Sequence, residues 1–171
     1  VSTDLPLDGD GGRFATGYTD HDAFGKREAV TPYQLRGFAP AAGFAASVQD
    51  LAAFASWQFR LLETGNKEVL ERSTLRYMQR VHWMDPFDPE GRVYGLGFHH
   101  HKLGNAPVIG HNGYCLGHRA QFSMEPGKKI AVITMVNSND ISPTVLAAGI
   151  YGLTAGLLSA DEGADAKADG E

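Results

Sequence analysis

Cysteine is almost absent from this sequence: Cys115 is the single example in 171 residues. An internal disulfide is therefore excluded, and cysteine usage says nothing about the redox compartment. The sequence also has no apolar run long enough to span a membrane. It starts at Val1 rather than Met, and no secretory signal is recognisable in it. These features leave the compartment open.

Positive charge is also scarce. Lys and Arg number 15 against 20 Asp and Glu, which gives a formal net charge of -5. With no basic patch, we do not expect the protein to bind nucleic acid. The hydrophobic content of 43% is ordinary for a globular protein with one core. We divide the chain into a loop-rich segment at 1–46, a folded part at 47–160 and an acidic tail at 161–171.

Several catalytic sequence patterns are missing as well. None of the eight serines is followed three residues later by a lysine, and neither Tyr-x-Asn nor Ser-x-Asn occurs. The chain also has no Gly-x-Ser-x-Gly elbow, no phosphate loop and no Cys-x-x-Cys. The sequence therefore shows no activated nucleophile of a recognised kind, and it implies no cofactor.

Apolar residues recur at helical spacing in three parts of the chain, and the predicted helices cover 48–64, 74–80 and 143–159. Ser47 begins an S-x-x-D capping pattern, and Gly65 supplies a stop. Ser73 is the expected cap of the second helix. Pro143 occupies the favoured first position of the last helix. Beyond Ala160 the small, acidic composition predicts a solvated tail.

From Val93 onward the pattern changes to sheet, with predicted strand regions at 93–101, 108–113, 118–124 and 129–136. Pro126-Gly127 predicts a tight hairpin between the last two. Both alternating sets of residues in the last strand are apolar, so we expect it to be buried on both faces. The order of loop, helices, antiparallel strands and helix predicts an α+β fold, an antiparallel sheet with flanking helices.

Three adjacent histidines, His99, His100 and His101, suggest a metal site. Strand alternation, however, sends the side chain of His100 to the opposite face from its two neighbours. Because no further ligands cluster near them in the sequence, we predict that these residues bind no metal.

The stretch GHNGYCLG at 110–117 holds three glycines between segments that favour strands. Glycine inside a strand often marks the close approach of another backbone or a ligand, so we predict a strand edge kept bare for a ligand. The alternative is an ordinary Gly-rich hairpin. Cys115 beside His111 or His118 also suggests a thiol nucleophile, but a lone cysteine in an apolar strand is more often simply buried.

Four stretches, in this order, resemble motifs of the serine β-lactamase-like hydrolases. This group includes class C β-lactamases, DD-carboxypeptidases, D-aminopeptidases and related esterases. PAAGFAASVQDLAAF at 40–54 resembles the pattern P-A-G-G-hydrophobic-x-S-T-x-x-D-L-A-x-F, and YGLGF at 94–98 resembles Y-G-L-G-W. GHNGYCLG at 110–117 resembles G-H-x-G-x-x-x-G, and ITMVNS at 133–138 resembles the strand end V-V-L-T-N-S.

The resemblance covers only the C-terminal half of such an enzyme, and it implies the C-terminal part of the β-lactamase/transpeptidase-like fold. The family's nucleophilic Ser, its Lys partner and the Tyr that assists proton transfer lie earlier in the chain. We therefore interpret this chain as a fragment or as one piece of a cleaved protein, and whether it is itself an enzyme stays open. Such family members favour a periplasmic or secreted location, with a cytoplasmic one as the alternative.

The resemblance also implies roles for residues of the third motif. His111 stands where the family carries Lys or His, and it would hydrogen-bond the missing Tyr or the substrate. Asn112 would donate to the substrate, and Gly113 would leave room for the substrate backbone. The Tyr114 backbone N–H would be one oxyanion-hole donor. A His in place of Lys departs from the β-lactamases proper and favours a peptidase or esterase.

The implied reaction is acyl transfer on an amide or ester, with a D-amino-acid peptide, a β-lactam or a simple ester as substrate. The alternative is a catalytically inactive binding or sensor domain. The expected partners are a small-molecule or peptide substrate and the N-terminal half of the same protein. Without that half, we expect an unpaired sheet edge and apolar surface only partly covered near Ile130, Val132 and Val136. Such a chain would form a homodimer that pairs edges, or be poorly soluble.

Overall fold

The computed structural model describes residues 14–31, 35–87 and 91–168, and for 159–168 it describes the backbone alone. The strands are β1 (Gly17–Tyr18), β2 (Ala29–Val30), β3 (Trp83–Met84), β4 (Val93–Tyr94), β5 (His99–Leu103), β6 (Ala106–Cys115), β7 (His118–Glu125) and β8 (Ile130–Val136). The helices are α1 (Ala39–Ala42), α2 (Val48–Thr64), α3 (Arg72–Gln79) and α4 (Pro143–Ala168). None of the described helices is both long and apolar enough to cross a membrane.

Within the described residues, β3 to β8 form one sheet in which every neighbouring pair is antiparallel. Consecutive strands are neighbours throughout, so each connection is a hairpin. β1 and β2 form a separate two-stranded ribbon. The predicted α+β fold with an antiparallel sheet and flanking helices is confirmed.

Helix α2 has the bounds that its sequence predicts. The Ser47 hydroxyl accepts a hydrogen bond from the Asp50 N–H, and the Asp50 carboxylate accepts one from the Ser47 N–H. This reciprocal capping box satisfies two donors that the helix would otherwise leave unpaired. At the other end Gly65 adopts φ 72°, which glycine tolerates without strain.

Helix α3 differs slightly from its prediction. It begins at Arg72 and its N-cap is Glu71, not Ser73. The N–H of Leu75 donates to the Glu71 carbonyl, which starts the helical hydrogen bonding before the predicted cap. The predicted Ser73 cap is therefore wrong, although the helix itself is present.

Helices cover both faces of the sheet. On one face α4 packs against the strands, in a core formed by Leu103, Val108, Ile130, Val132, Ala147 and Tyr151. On the opposite face α2 supplies Ala55 against Phe122 and Met124. The predicted burial of β8 on both faces is confirmed, because Ile130 and Val132 face α4 while Ala131 and Ile133 face α2.

The predicted strand region 93–101 is wrong in one respect, since it is a hairpin. β4 ends at Tyr94, and the Gly95 N–H donates to the Phe98 carbonyl across a tight turn before β5 begins. Gly97 has φ 76° in this turn. A Cβ atom on Gly95 would lie 2.4 Å from the Met78 carbonyl oxygen, so the turn needs glycine to pack against α3.

The prediction for the C-terminal apolar surface also needs correction. Ile130 and Val132 are buried, because α4 lies over them, whereas Val136 is only partly buried, as predicted. Six apolar side chains of α4 itself are exposed: Val145, Leu146, Ile150, Leu153, Leu157 and Leu158. The backbone of α4 continues to Ala168, beyond the predicted end near Ser159.

Candidate functional site

The Gly-rich stretch forms the second half of β6, and this half is paired on one side only. β5 starts at His99, which pairs with Gly110. β7 pairs with β6 as far as Cys115. Among the described residues, no strand therefore lies beside 111–114 on the β5 side. We call residues 111–114 the free edge of β6.

The two glycines before and within the free edge have different surroundings. A Cβ atom on Gly110 would lie 1.9 Å from the Phe122 carbonyl oxygen, which only glycine avoids. A Cβ atom on Gly113 would meet only the Ala120 Cβ, at 3.8 Å. Gly110 is therefore required by packing within the sheet, whereas the structure leaves room at Gly113.

His111 is exposed on the free edge, and a hydrogen bond determines its tautomer. Its Nδ1 lies 2.5 Å from the Asn112 carbonyl oxygen. A carbonyl oxygen only accepts, so Nδ1 carries the proton in the neutral ring. Nε2 then holds the lone pair, and it is the atom of His111 that can accept a proton or hydrogen bond from a ligand.

The His99 ring lies against His111, and the Tyr94 ring lies against His99. The ring centroids of His99 and His111 are 4.0 Å apart. On the other side of β5, the Tyr94 ring of β4 has its centroid 4.2 Å from that of His99. The pKa of His99 is lowered to about 4, chiefly by burial and in smaller part by the nearby His111, His101 and Arg92. His99 is therefore neutral at neutral pH. Motif analysis missed both rings. It predicted one strand region at 93–101 in place of the hairpin of β4 and β5, which brings Tyr94 against His99 and His99 against His111.

The other members of the predicted site also lie on the free edge. Asn112 is exposed, and Tyr114 is 62% exposed. Cys115, the hypothesised thiol nucleophile, is partly buried at the end of β6. His118, which pairs with it across the hairpin, has its Nε2 2.8 Å from the Ala15 carbonyl oxygen and donates there.

The turn after β6 is fixed by contacts from distant parts of the chain. The Gly117 N–H donates to the Asn139 side chain at 2.8 Å. Gly17 packs so closely on the turn that a Cβ atom on Gly117 would lie 2.9 Å from the Gly17 Cα. The Arg27–Asp140 ion pair, 2.8 Å long, ties the β1–β2 ribbon to the same region. The ribbon thus supports the end of the free edge.

The serines nearest to β6 in the sheet are not free to react. Ser123 pairs with Gly110 across β6 and β7 but is 1% exposed. Its hydroxyl lies 2.9 Å from the His101 ring and 2.9 Å from the Gln121 amide nitrogen. Ser138 is 2% exposed. These side chains are buried, so neither serine is placed to act as a nucleophile beside His111.

A surface depression lies away from the free edge, between the end of α2 and α3, with a volume of about 730 Å³. Arginines line it, but their contacts are structural. Arg72 donates to the Leu61 and Glu63 carbonyls, and Arg80 lies over the Tyr77 ring at 4.3 Å. None of the free-edge residues lines this depression, and we do not assign it a function.

No described group of three or more His, Cys, Asp or Glu side chains is arranged to hold a metal ion. Alternation along β5 places His100 opposite Ile109 and His101 opposite Val108, whose side chains belong to cores on opposite faces. The prediction that the histidine triplet binds no metal stays a prediction.

The antiparallel sheet between helices, with a Gly-rich free edge carrying His111, is typical of serine hydrolases related to β-lactamases and penicillin-binding proteins. Comparison with known families agrees, since the Beta-lactamase family profile matches residues 5–155. The match spans most of the chain, and the chain therefore belongs to the Beta-lactamase family. No curated protein shows significant sequence similarity to it.

Two solved structures share the fold. The octameric penicillin-binding protein homologue from Pyrococcus abyssi is 22% identical, with a TM-score of 0.65 over 83% of this chain and 31% of its own. A D-stereospecific amidohydrolase from a Streptomyces species is 22% identical, with a TM-score of 0.59 over 80% of this chain and 39% of its own. The present chain thus spans well under half the length of either structure.

Proposed function

We propose that this chain forms the substrate-binding edge of a serine hydrolase that transfers acyl groups from an amide or ester. The observation that carries the proposal is the free edge of β6, where exposed His111 and Tyr114 flank a glycine with open space above it. An extended substrate can add to such an edge as a further strand, since unpaired backbone groups there form hydrogen bonds with it.

In this proposal the free-edge residues have separate roles. The Tyr114 backbone N–H donates to the developing oxyanion, a contact whose loss costs about 3 kcal/mol of transition-state stabilisation. His111 accepts a hydrogen bond through Nε2 from the substrate or from a Tyr hydroxyl supplied by the N-terminal half. Asn112 donates to the substrate, and Gly113 lets the substrate backbone approach closely.

The nucleophile must then come from outside this chain, and we propose the N-terminal half of the same protein as its source. The N-terminal half would dock on the exposed apolar side chains of α4 and on β8, the edge strand of the described sheet. Covering these side chains removes apolar area from water, which stabilises the assembly by about 25 cal/mol per Å². The partial coverage of both solved structures agrees with a missing half.

For the substrate we propose an amide of a D-amino acid ahead of a β-lactam or a simple ester. One solved structure with this fold is a D-stereospecific amidohydrolase. His111 in the position of the β-lactamase lysine supports the same choice, because an imidazole lacks the permanent ammonium charge that a lysine offers to the carboxylate of a β-lactam.

An inactive binding or sensor domain is the second candidate. It is favoured by one observation, that Ser123, the register partner of Gly110 beside the site, is buried. The upstream sequence separates the two candidates. Ser-x-x-Lys followed by Tyr-x-Asn supports the hydrolase, and the absence of both supports the binding domain.

The test is to purify residues 1–171 alone and to assay p-nitrophenyl acetate, nitrocefin and a D-alanyl peptide, with sizing on the same sample. We expect no turnover, association into dimers or larger species, and activity after the N-terminal half is added. A monodisperse monomer that turns over any of these substrates through an acyl-serine would contradict the proposal.

A matched pair of histidine variants locates the activity in the reconstituted protein. His111→Ala should lower kcat/KM by about 10²- to 10⁴-fold, the range typical for loss of a proton-transfer group. His82→Ala should leave it unchanged, because His82 precedes β3 and donates to the Tyr77 carbonyl. Equal losses in the two variants would mean that His111 acts only through stability.

A further inference from the structure

Three aromatic rings stand in a row at the start of the free edge of β6. Tyr94 contacts His99 edge-on, with centroids 4.2 Å apart, and His99 contacts His111 at 4.0 Å. Tyr94 and His99 are register partners in the β4–β5 pair, and His99 pairs on its other side with Gly110. The sheet itself therefore holds the middle ring in place.

A partly buried polar network next to these three rings holds the side chain of His101, the middle residue of β5. The Nε2 atom of His101 lies 2.9 Å from the Ser123 hydroxyl and 3.3 Å from the Gln121 amide nitrogen. The Gln121 carbonyl oxygen accepts a hydrogen bond from Thr144, near the start of α4, at 2.9 Å. This network ties the His101 side chain of β5 to β7 and α4.

The three ionisable groups that lower the pKa of His99 electrostatically are all basic. His111 faces it from β6, His101 lies two residues away on β5, and Arg92 precedes β4. Burial, followed by these three groups, lowers the pKa of His99 to about 4. His99 thus stays neutral where histidines usually titrate.

From this geometry we infer that His99 is a positioning residue, whose neutral ring holds the His111 imidazole with Nδ1 on the Asn112 carbonyl and Nε2 presented to the ligand. The inference rests on the proposed function for the role it gives to His111. It assigns His99 no contact with substrate. Its effect passes through the rotamer and tautomer of His111 alone.

Removal of the His99 ring should release its neighbour. His111 is exposed, and its ring is held by two described contacts, the packing against His99 and the hydrogen bond to the Asn112 carbonyl. An imidazole that can rotate exchanges that bond for water and populates both neutral tautomers. A phenyl ring at position 99 keeps the packing surface and is never charged, so it should preserve the arrangement.

The experiment compares His99→Ala, His99→Phe and His82→Ala by long-range ¹H–¹⁵N spectra of the histidine rings in the 171-residue chain. His82 is the matched control, because it also packs edge-on against a tyrosine, Tyr77, at 4.6 Å. We expect the Nδ1–H tautomer of His111 in the wild type, in His99→Phe and in His82→Ala. In His99→Ala we expect a mixture of both tautomers.

Kinetics of the same variants, reconstituted with the N-terminal half, give the second readout. His99→Ala should lower kcat about tenfold with little change in KM, and His99→Phe should restore it, because a misplaced catalytic group costs rate before it costs binding. An unchanged His111 tautomer in His99→Ala would overturn the inference, as would a failure of His99→Phe to restore it. If the tautomers behave as expected but no variant, including the wild type, is active, the proposed function fails while the positioning role stands.

Discussion

The two halves of β6 belong to one strand but have different surroundings. Residues 106–110 are all paired with β5, Ile109 and Gly110 are also paired with β7, and the inner half includes Val108, which is 3% exposed. Among the described residues, the strand pairing of 111–114 is with β7 alone, and Tyr114 is 62% exposed. The boundary between the halves is Gly110, beside the first residue of β5.

The comparison shows how one strand can be both core and binding surface. The inner half is paired with β5 along its whole length and places Val108 in the core beneath α4, so it carries the stability. The outer half continues the same strand and is paired with β7, so its backbone is held in place. Its backbone polar groups on the side away from β7 are available to a ligand. Sites built on strands keep more precise geometry than sites on loops, and the free edge of β6 uses this property.

The largest expected effect is that of Gly110→Ala. The added methyl group would lie 1.9 Å from the Phe122 carbonyl oxygen, so the β6–β7 pairing must shift. We expect a loss of about 3 kcal/mol in the free energy of unfolding, at the upper end of overpacking effects. Urea denaturation measures it, and a variant within about 0.5 kcal/mol of wild type would break the comparison.

A smaller effect is expected for Ser123→Ala, which removes a hydroxyl from beneath the inner half. The Gln121 amide and the His101 ring each lose a buried partner. The expected destabilisation is about 1–3 kcal/mol, typical of buried polar groups left unsatisfied. Ser73→Ala on exposed α3 is the matched control and should change stability by less than about 0.5 kcal/mol. Equal effects in the two variants would contradict the network.

The pH dependence of stability should sharpen the boundary at His99. Its pKa is lowered from 6.5 to about 4 in the folded chain, so between these values the unfolded chain binds the extra proton. Stability is therefore complete above pH 6.5 and falls as the pH drops toward 4. In His99→Phe this fall should be shallower, with the contribution of His101 remaining. Identical slopes for both proteins in urea titrations between these pH values would contradict the account.

The smallest structural effect is expected for Gly113→Ala, in the outer half. Its added methyl group meets only the Ala120 Cβ at 3.8 Å. We expect the unfolding free energy to stay within about 0.5 kcal/mol of wild type, as at ordinary surface sites. Activity of the reconstituted protein should nevertheless fall, since the methyl group projects where the substrate backbone is proposed to lie. A large loss of stability would show that the outer half is packed like the inner one.

The elements with local signals could be predicted from the sequence. Helix α2 follows from Ser47, Asp50 and Gly65, all of which act within one turn of a helix end. Strand β8 follows from its two apolar faces. The hairpin of β4 and β5 could not be predicted in the same way, because Gly95 is needed for a contact with α3 that lies far away in the sequence.

The site shows the same division. His111, Asn112, Gly113 and Tyr114 could be proposed from a short motif, and the structure places them together on the free edge. That the edge is open depends on where β5 starts, which is a tertiary property. The contact between His99 and His111 depends on the same register, so no local pattern indicates it.

Hydrogen exchange at the Tyr114 amide tests the central claim most directly, that the outer half of β6 is a substrate edge. In the chain alone we predict fast exchange at Tyr114 beside slow exchange at Val108. After reconstitution with the N-terminal half and acylation by a slowly hydrolysed substrate, the Tyr114 amide should become protected, because it donates to the acyl oxygen, while Val108 stays unchanged. A Tyr114 amide already protected in the chain alone, or still exchanging freely in the acylated protein, would contradict the account.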